Sequence, residues 1–145
     1  MAEPIWMELG DAVIFHDMEL AAHGGSAGLR DPGMLESAII CPRNLWAYTD
    51  APPSLTRLAA AYAFGISSNQ SFVDGNKRTA LVVSFAFLVT NGVAVAASQE
   101  DAYETILALA AGEIGEQQIM EWFDRNTAPL QDWSQATGFI GRCAV

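Results

Sequence analysis

The chain has 145 residues, 51% hydrophobic and 17% charged, with 7 Lys plus Arg against 17 Asp plus Glu and a net charge of −10. This composition excludes a disordered chain and fits one domain with a real core, taken as residues 1–145. So few cations cannot build the basic footprint that direct nucleic-acid binding needs.

In chain order, Asp11 is a candidate cap for a first helix running to about Ala22, with Val13, Ile14, Met18, Leu20 and Ala21 mostly on one side. "HGGSAGLRDPG" follows, a glycine-rich loop expected to fold as a short hairpin or flap near residues 24–33. A short helix is expected over Met34 to Ile40. "CPRNLWAYTDAPP" then reads as irregular, with Pro42, Pro52 and Pro53 as punctuation. Ser54 opens the Ala- and Leu-rich helix "SLTRLAAAYAFGISSN", in which Gly65 signals close helix packing. After the loop "QSFVDG", residues Asn76 to Thr90 are apolar nearly all round, as a buried central helix would be, and Asn91-Gly92 ends them. Val93 to Val95 has room for a short strand. Two more helices fit "SQEDAYETILALAAG", with Ser98 as cap and Asp101 at N3, and "GEQQIMEWFDRNT". The expected fold is all-α, an orthogonal bundle of about six helices in one domain. Trp46, Tyr48, Tyr62, Phe64, Phe85 and Phe87 are expected in the core, with Trp46 and Tyr48 alternatively lining a groove. The tail from 126 to 145, with "LQDWSQATGFIGRCAV", offers no readable role.

Two cysteines, Cys41 and Cys143, are too few for a disulfide framework or a zinc cage and suit a reducing cytosol. "MAEPIWMELGD" lacks the pattern of a signal peptide, and the apolar run Ala80 to Val89 is too short to span a bilayer, so a cytoplasmic protein without a membrane partner is expected.

The stretch with the most chemistry is "NQSFVDGNKRTA". Lys77 and Arg78 lie at the start of the central helix, where the macrodipole disfavours a cation by about 0.3–1 kcal/mol. An anion held there reverses that penalty. Helix starts have unpaired amides, Gly75 lets backbone come close to a ligand, and Asn76 can cap the helix or donate a proton. Asp74 is a hard oxygen ligand suited to Mg²⁺. These are parts of a phosphoryl- or nucleotidyl-transfer site. The same "DGN" also serves as an ordinary turn and cap, and both readings stand on the residues alone. Phe72 is expected to pin the loop to the core.

"SFVDGNKRTA" resembles the signature of the Fic/Doc family, whose usual form runs His-x-Phe-x-Asp/Glu-Gly/Ala-Asn-x-Arg, and the likeness runs from about Asp11 to Phe123. Lysine at position 77 resembles the death-on-curing branch; the adenylyltransferase branch usually has glycine there. The resemblance implies a toxin of a toxin–antitoxin pair that transfers the γ-phosphate of ATP to a threonine of elongation factor Tu. It implies Asp74 as the Mg²⁺ ligand, Gly75 and Asn76 as phosphate binders, and Lys77 and Arg78 as the grip on the nucleotide. It implies that Gly28, Leu29, Arg30 and Asp31 form a flap that aligns the target, and that an antitoxin lays its C-terminal segment in a groove.

One position departs. Gln70 stands where the family's general-base histidine falls, and Ser71 where its following proline falls. A carboxamide offers a hydrogen bond but takes no proton near pH 7. Losing a general base typically costs about 10²–10⁴ in rate. Natural divergence, an introduced inactivating change, and catalysis through another base are all open. So are a catalytically silent binding or regulatory module and an AMP-transferring enzyme. His16 and His23 read as structural histidines, and His16 with Glu19 makes at most half of a metal site.

Overall fold

A computed structural model describes residues 2–131. Most of the tail that gave no reading, with Cys143, lies outside them. The described residues form six helices and one two-stranded sheet: α1 (Leu9–His23), α2 (Pro32–Tyr48), α3 (Leu55–Asn69), α4 (Asn76–Thr90), β1 (Val93–Val95), α5 (Gln99–Ala110), α6 (Glu116–Asn126) and β2 (Thr127–Pro129). The all-α expectation holds.

Helix α4 is the axis. Every residue from Thr79 to Val89 is buried, as its almost wholly apolar character demands. The two hydroxyls in this run differ: Ser84 Oγ donates to the Ala80 carbonyl at 2.8 Å, the usual way to bury a serine in a helix. Helix α3 packs along α4 and also against α2 and α6, while α1 and α5 pack on α4 as well. Gly65 is where α2 and α3 approach most closely, since a Cβ there would lie 3.1 Å from the Ala38 Cβ. Aromatic rings fill the ends of the core: Tyr62 packs on Phe87 at 5.0 Å between centroids, and Phe85 on Phe123 at 5.8 Å.

Strand β1 pairs antiparallel with β2, Ala94 opposite Ala128. The sequence allowed for β1, whereas β2, in "TAP", has no strand pattern and is set by its partner. At the same end, Asn91 straps the N-terminal segment to α4: its Oδ1 accepts from Ile5 N at 2.8 Å and its Nδ2 donates to Ile5 O at 3.0 Å.

Four expectations need correction. Helix α2 does not stop at Ile40 but runs through Pro42 to Tyr48. An interior proline costs about 3 kcal/mol in lost bonding and clash. Here Pro42 lies on the buried face with Leu35, Ala38 and Ile39, and the turns beyond it are held by Arg43, which donates to Glu8 at 2.7 Å, and by Trp46, edge-on to Trp6 at 6.3 Å. Packing outweighs the local signal. The cap of α1 is Glu8 rather than Asp11; Asp11 sits at N3 and accepts from the Glu8 amide at 2.8 Å. Tyr48 is 84% exposed and Phe64 39%, so neither belongs to the core. The fourth correction concerns Asn76 and belongs to the site.

Candidate functional site

The loop from Gln70 to Gly75 joins the end of α3 to the start of α4, and its conformation is fixed from three sides. Phe72 is 1% exposed and stacks face to face on the buried His16, centroids 3.7 Å apart. His16 Nε2 donates to the Asp74 carbonyl at 2.8 Å, which makes His16 the structural histidine expected of it. The third anchor is Asn76. It does not cap α4; Gly75 stands at the N-cap, at φ +81°, where a side chain would be strained. The Asn76 carboxamide instead closes back on the loop, its Oδ1 accepting from Phe72 N and its Nδ2 donating to Phe72 O, both at 3.0 Å. It spends its polar atoms on the loop because the Phe72 backbone, buried under the ring, has no water to bond.

With no side-chain cap on α4, the first intrahelical bond is Thr79 N to Gly75 O. The amides ahead of it have no partner inside the helix, and the positive end of the helix dipole lies behind them.

The segment ahead of α2 is laid against this loop. Leu29 bridges Phe72 antiparallel, Val73 N donates to Gly28 O at 3.0 Å, and Arg30 N and Asp31 N both donate to Ser71 O at 2.8 and 2.9 Å. The expected flap is thus paired with the 70–73 loop, not folded as a hairpin on itself. Arg30 Nη2 also donates to the Gln70 carbonyl at 2.7 Å. Gln70 is the sole non-glycine residue at positive φ among the described residues (+49°), and this contact holds a backbone that costs about 1–3 kcal/mol to keep. Asp31 is committed to α2, accepting from Met34 N at 3.1 Å.

A cavity of about 450 Å³ opens over the junction. Gln70, Asp74, Gly75, Asn76, Lys77 and Arg78 all line it, so the structure gathers into one place the six residues singled out around the α4 start. The flap residues Gly28 to Asp31 are not among its walls; Gly24 and Gly25 are. Gly25 comes close because it has no side chain: a Cβ there would meet Asp74 Oδ2 at 2.8 Å. Arg78 is steadied by Tyr103 of α5, its guanidinium 4.8 Å from the ring centroid.

Among the lining residues from outside the motif are Tyr103 on α5, and Glu19 and His23 on the last turns of α1. The i,i+4 spacing of Glu19 and His23 was readable as a helical pair. Nothing in the sequence placed it beside a loop some fifty residues away. Glu19 is 5% exposed, and its Oε2 has no hydrogen-bond partner among the described residues, lying 3.5 Å from His23 Nε2. Burial pushes its carboxyl above the ordinary value, and the nearby His23 and Arg78 pull the other way.

Asp74 accepts from Gly75 N through Oδ1 at 2.9 Å and from Ser26 N through Oδ2 at 3.3 Å. Each oxygen retains lone-pair capacity. Among the described residues no group of three or more His, Cys, Asp or Glu gathers to hold a metal ion. A single carboxylate lining a cavity with two cations has the donor chemistry of a Mg²⁺ site, since Mg²⁺ keeps several waters and takes one or two carboxylates plus substrate phosphates. It does not suit zinc, whose sites need three or four protein ligands.

A helical domain whose central helix starts uncapped, with two cations and a carboxylate lining one cavity, carries the parts of an anion site at a loop-to-helix junction. Residues 6–88, more than half of the chain, match the Fic/DOC family, and the chain belongs to that family. It is 42% identical over 76 residues to "Toxin Doc" of Mycolicibacterium smegmatis, a match covering 52% of this chain and 58% of that protein. It is 34% identical over 115 residues to "Protein kinase doc" of Escherichia phage P1, covering 79% of this chain and 90% of that one. The first of these matches leaves over a third of the relative's length uncovered.

Proposed function

We propose that this chain is a Doc-type toxin of a toxin–antitoxin pair, transferring the γ-phosphoryl group of ATP to a hydroxyl of a translation factor, elongation factor Tu. The observation that carries the reading is the uncapped start of α4, with Lys77, Arg78 and Asp74 lining one cavity. The relatives named as a toxin and as a protein kinase support the reaction class.

On this reading the residues divide the labour. The first-turn amides and Gly75 take phosphate oxygens. Lys77 and Arg78 neutralise charge that grows on the transferred group, and Tyr103 keeps the Arg78 guanidinium in place. Asn76 acts through the loop it braces. Asp74 holds Mg²⁺, which adds positive charge across the phosphates when bound. The segment from Gly28 to Asp31, fastened to the loop that bears Gln70, aligns the acceptor. Gln70 orients the acceptor hydroxyl by a hydrogen bond. The partner is an antitoxin whose C-terminal segment occupies a groove on the toxin, and the pair acts in the cytoplasm. Among the described residues no helix is long and apolar enough to cross a membrane.

A second reading rests on Gln70 itself. A carboxamide takes no proton, which favours a binding or regulatory module that keeps the pocket without the reaction. The test is incubation of the native chain with Mg²⁺, elongation factor Tu and ATP labelled at the γ or the α phosphorus. Transfer of the γ label is the expected result. Transfer of the α label means AMP donation instead. ATP binding with no transfer of either label means a binding module.

A further inference from the structure

Transfer to a hydroxyl releases a proton, and the residue of the loop nearest the α3 end, Gln70, cannot take it. Asp74 is a poor receiver, since both of its oxygens accept backbone N–H bonds, and on the reading above it would hold Mg²⁺. The same cavity holds another arrangement. His23 and Glu19 both line it, one helical turn apart, with Nε2 and Oε2 separated by 3.5 Å. The imidazole is 26% exposed and the carboxylate 5%. A partly exposed imidazole backed by a buried carboxylate is the arrangement by which a base is oriented and its protonated form stabilised.

We propose that His23, backed by Glu19, accepts the proton that leaves the acceptor hydroxyl. This rests on the transferase reading above. In the step, the acceptor O–H bond breaks and its proton goes to the His23 imidazole. The freed oxygen pair forms the new O–P bond. The bond from the γ-phosphorus to its bridging oxygen breaks, and that electron pair leaves on ADP. The imidazolium is balanced by the Glu19 carboxylate until the proton passes to solvent. His23 is the catalytic residue and Glu19 a positioning residue. The other charged or titratable groups lining the cavity are Asp74 on the loop, Lys77 and Arg78 on α4, and Tyr103 on α5. Burial sets the Glu19 carboxyl above its ordinary value.

The experiment compares the native chain with His23→Gln, Glu19→Gln, Gln70→His and the double variant His23→Gln/Gln70→His. Label transfer from γ-labelled ATP is followed against pH, and ATP affinity is measured by calorimetry. His23→Gln is expected to lower transfer by about 10²–10⁴ with ATP affinity unchanged. The double variant is expected to recover activity, which shows that a proton acceptor was lost and not the fold. Glu19→Gln should lower kcat with KM for ATP unchanged, because the imidazole loses the carboxylate 3.5 Å away that orients it. Full activity in His23→Gln, loss of ATP binding in step with loss of transfer, or full activity in Glu19→Gln overturns the proposal and leaves the transferase reading intact. Transfer by Gln70→His with none by the native chain also overturns the proposal alone. No transfer and no ATP binding by any form overturns both.

Discussion

At Glu19 the physics runs against stability. A carboxyl whose pKa is raised by burial holds its proton more tightly in the folded chain than in the unfolded one. The stabilising proton is fully present below the unfolded value of about 4.5 and is lost as pH rises through the folded value. Glu19→Gln should therefore raise the urea midpoint at pH 7, and the gain should vanish toward pH 4; an equal midpoint at both pH values contradicts this. Tyr62 shows the same sign at the other end of the scale. Its buried phenol, whose oxygen accepts from Met7 N at 3.1 Å, is pushed up to about 12 by burial. Its contribution is lost between about pH 10 and 12, and Tyr62→Phe should flatten the alkaline fall in stability relative to the native chain. Asn76→Ala should cost about 1–3 kcal/mol in urea unfolding, since it orphans two buried Phe72 backbone groups. The motif residues from Gln70 to Arg78 were legible because contiguous chain carries them. The role of Asn76 was misread, because a cap and a loop brace call for the same residue type. Glu19 and His23 were legible as a helical pair but not as part of the cavity, since only the packing of α1 on α4 brings them there.

Among the elements, α4 was the most legible: its apolar run is longer than any one-sided pattern, and Asn91-Gly92 marks its end with Gly92 at φ +84°. Because the site begins on this helix, core damage should reach it. Leu88, fully buried, should cost about 2–5 kcal/mol when cut to alanine, read by chemical denaturation. Helix α2 was the least legible, because Pro42 carries a strong local stop signal that the burial of the Leu35, Ala38 and Ile39 face overrides. The α2–α3 contact that supports this is narrow. Gly65→Val should destabilise by about 1–3 kcal/mol, as its side chain would be driven into Ala38; wild-type stability there would mean that the two helices move apart freely. Strand β2 had no signal of its own and exists through its pairing with β1.

Across the whole molecule, a chain of net charge −10 places Lys77 and Arg78 in one cavity at a helix start. Its own field opposes an anionic ligand, so on the proposed reading affinity must come from short-range contacts, with Mg²⁺ adding to them. Ligand that binds the folded form alone adds about 2.7 kcal/mol at a hundredfold excess over its Kd. The most direct measurement is calorimetric titration of the native chain and of Arg78→Ala with Mg·ATP and with adenosine. The account predicts one Mg·ATP per chain, no heat from adenosine, and affinity weakened about 10–100-fold in the variant, as loss of a charged hydrogen bond implies. Equal affinity in both proteins, or no binding of Mg·ATP by the native chain, would contradict it.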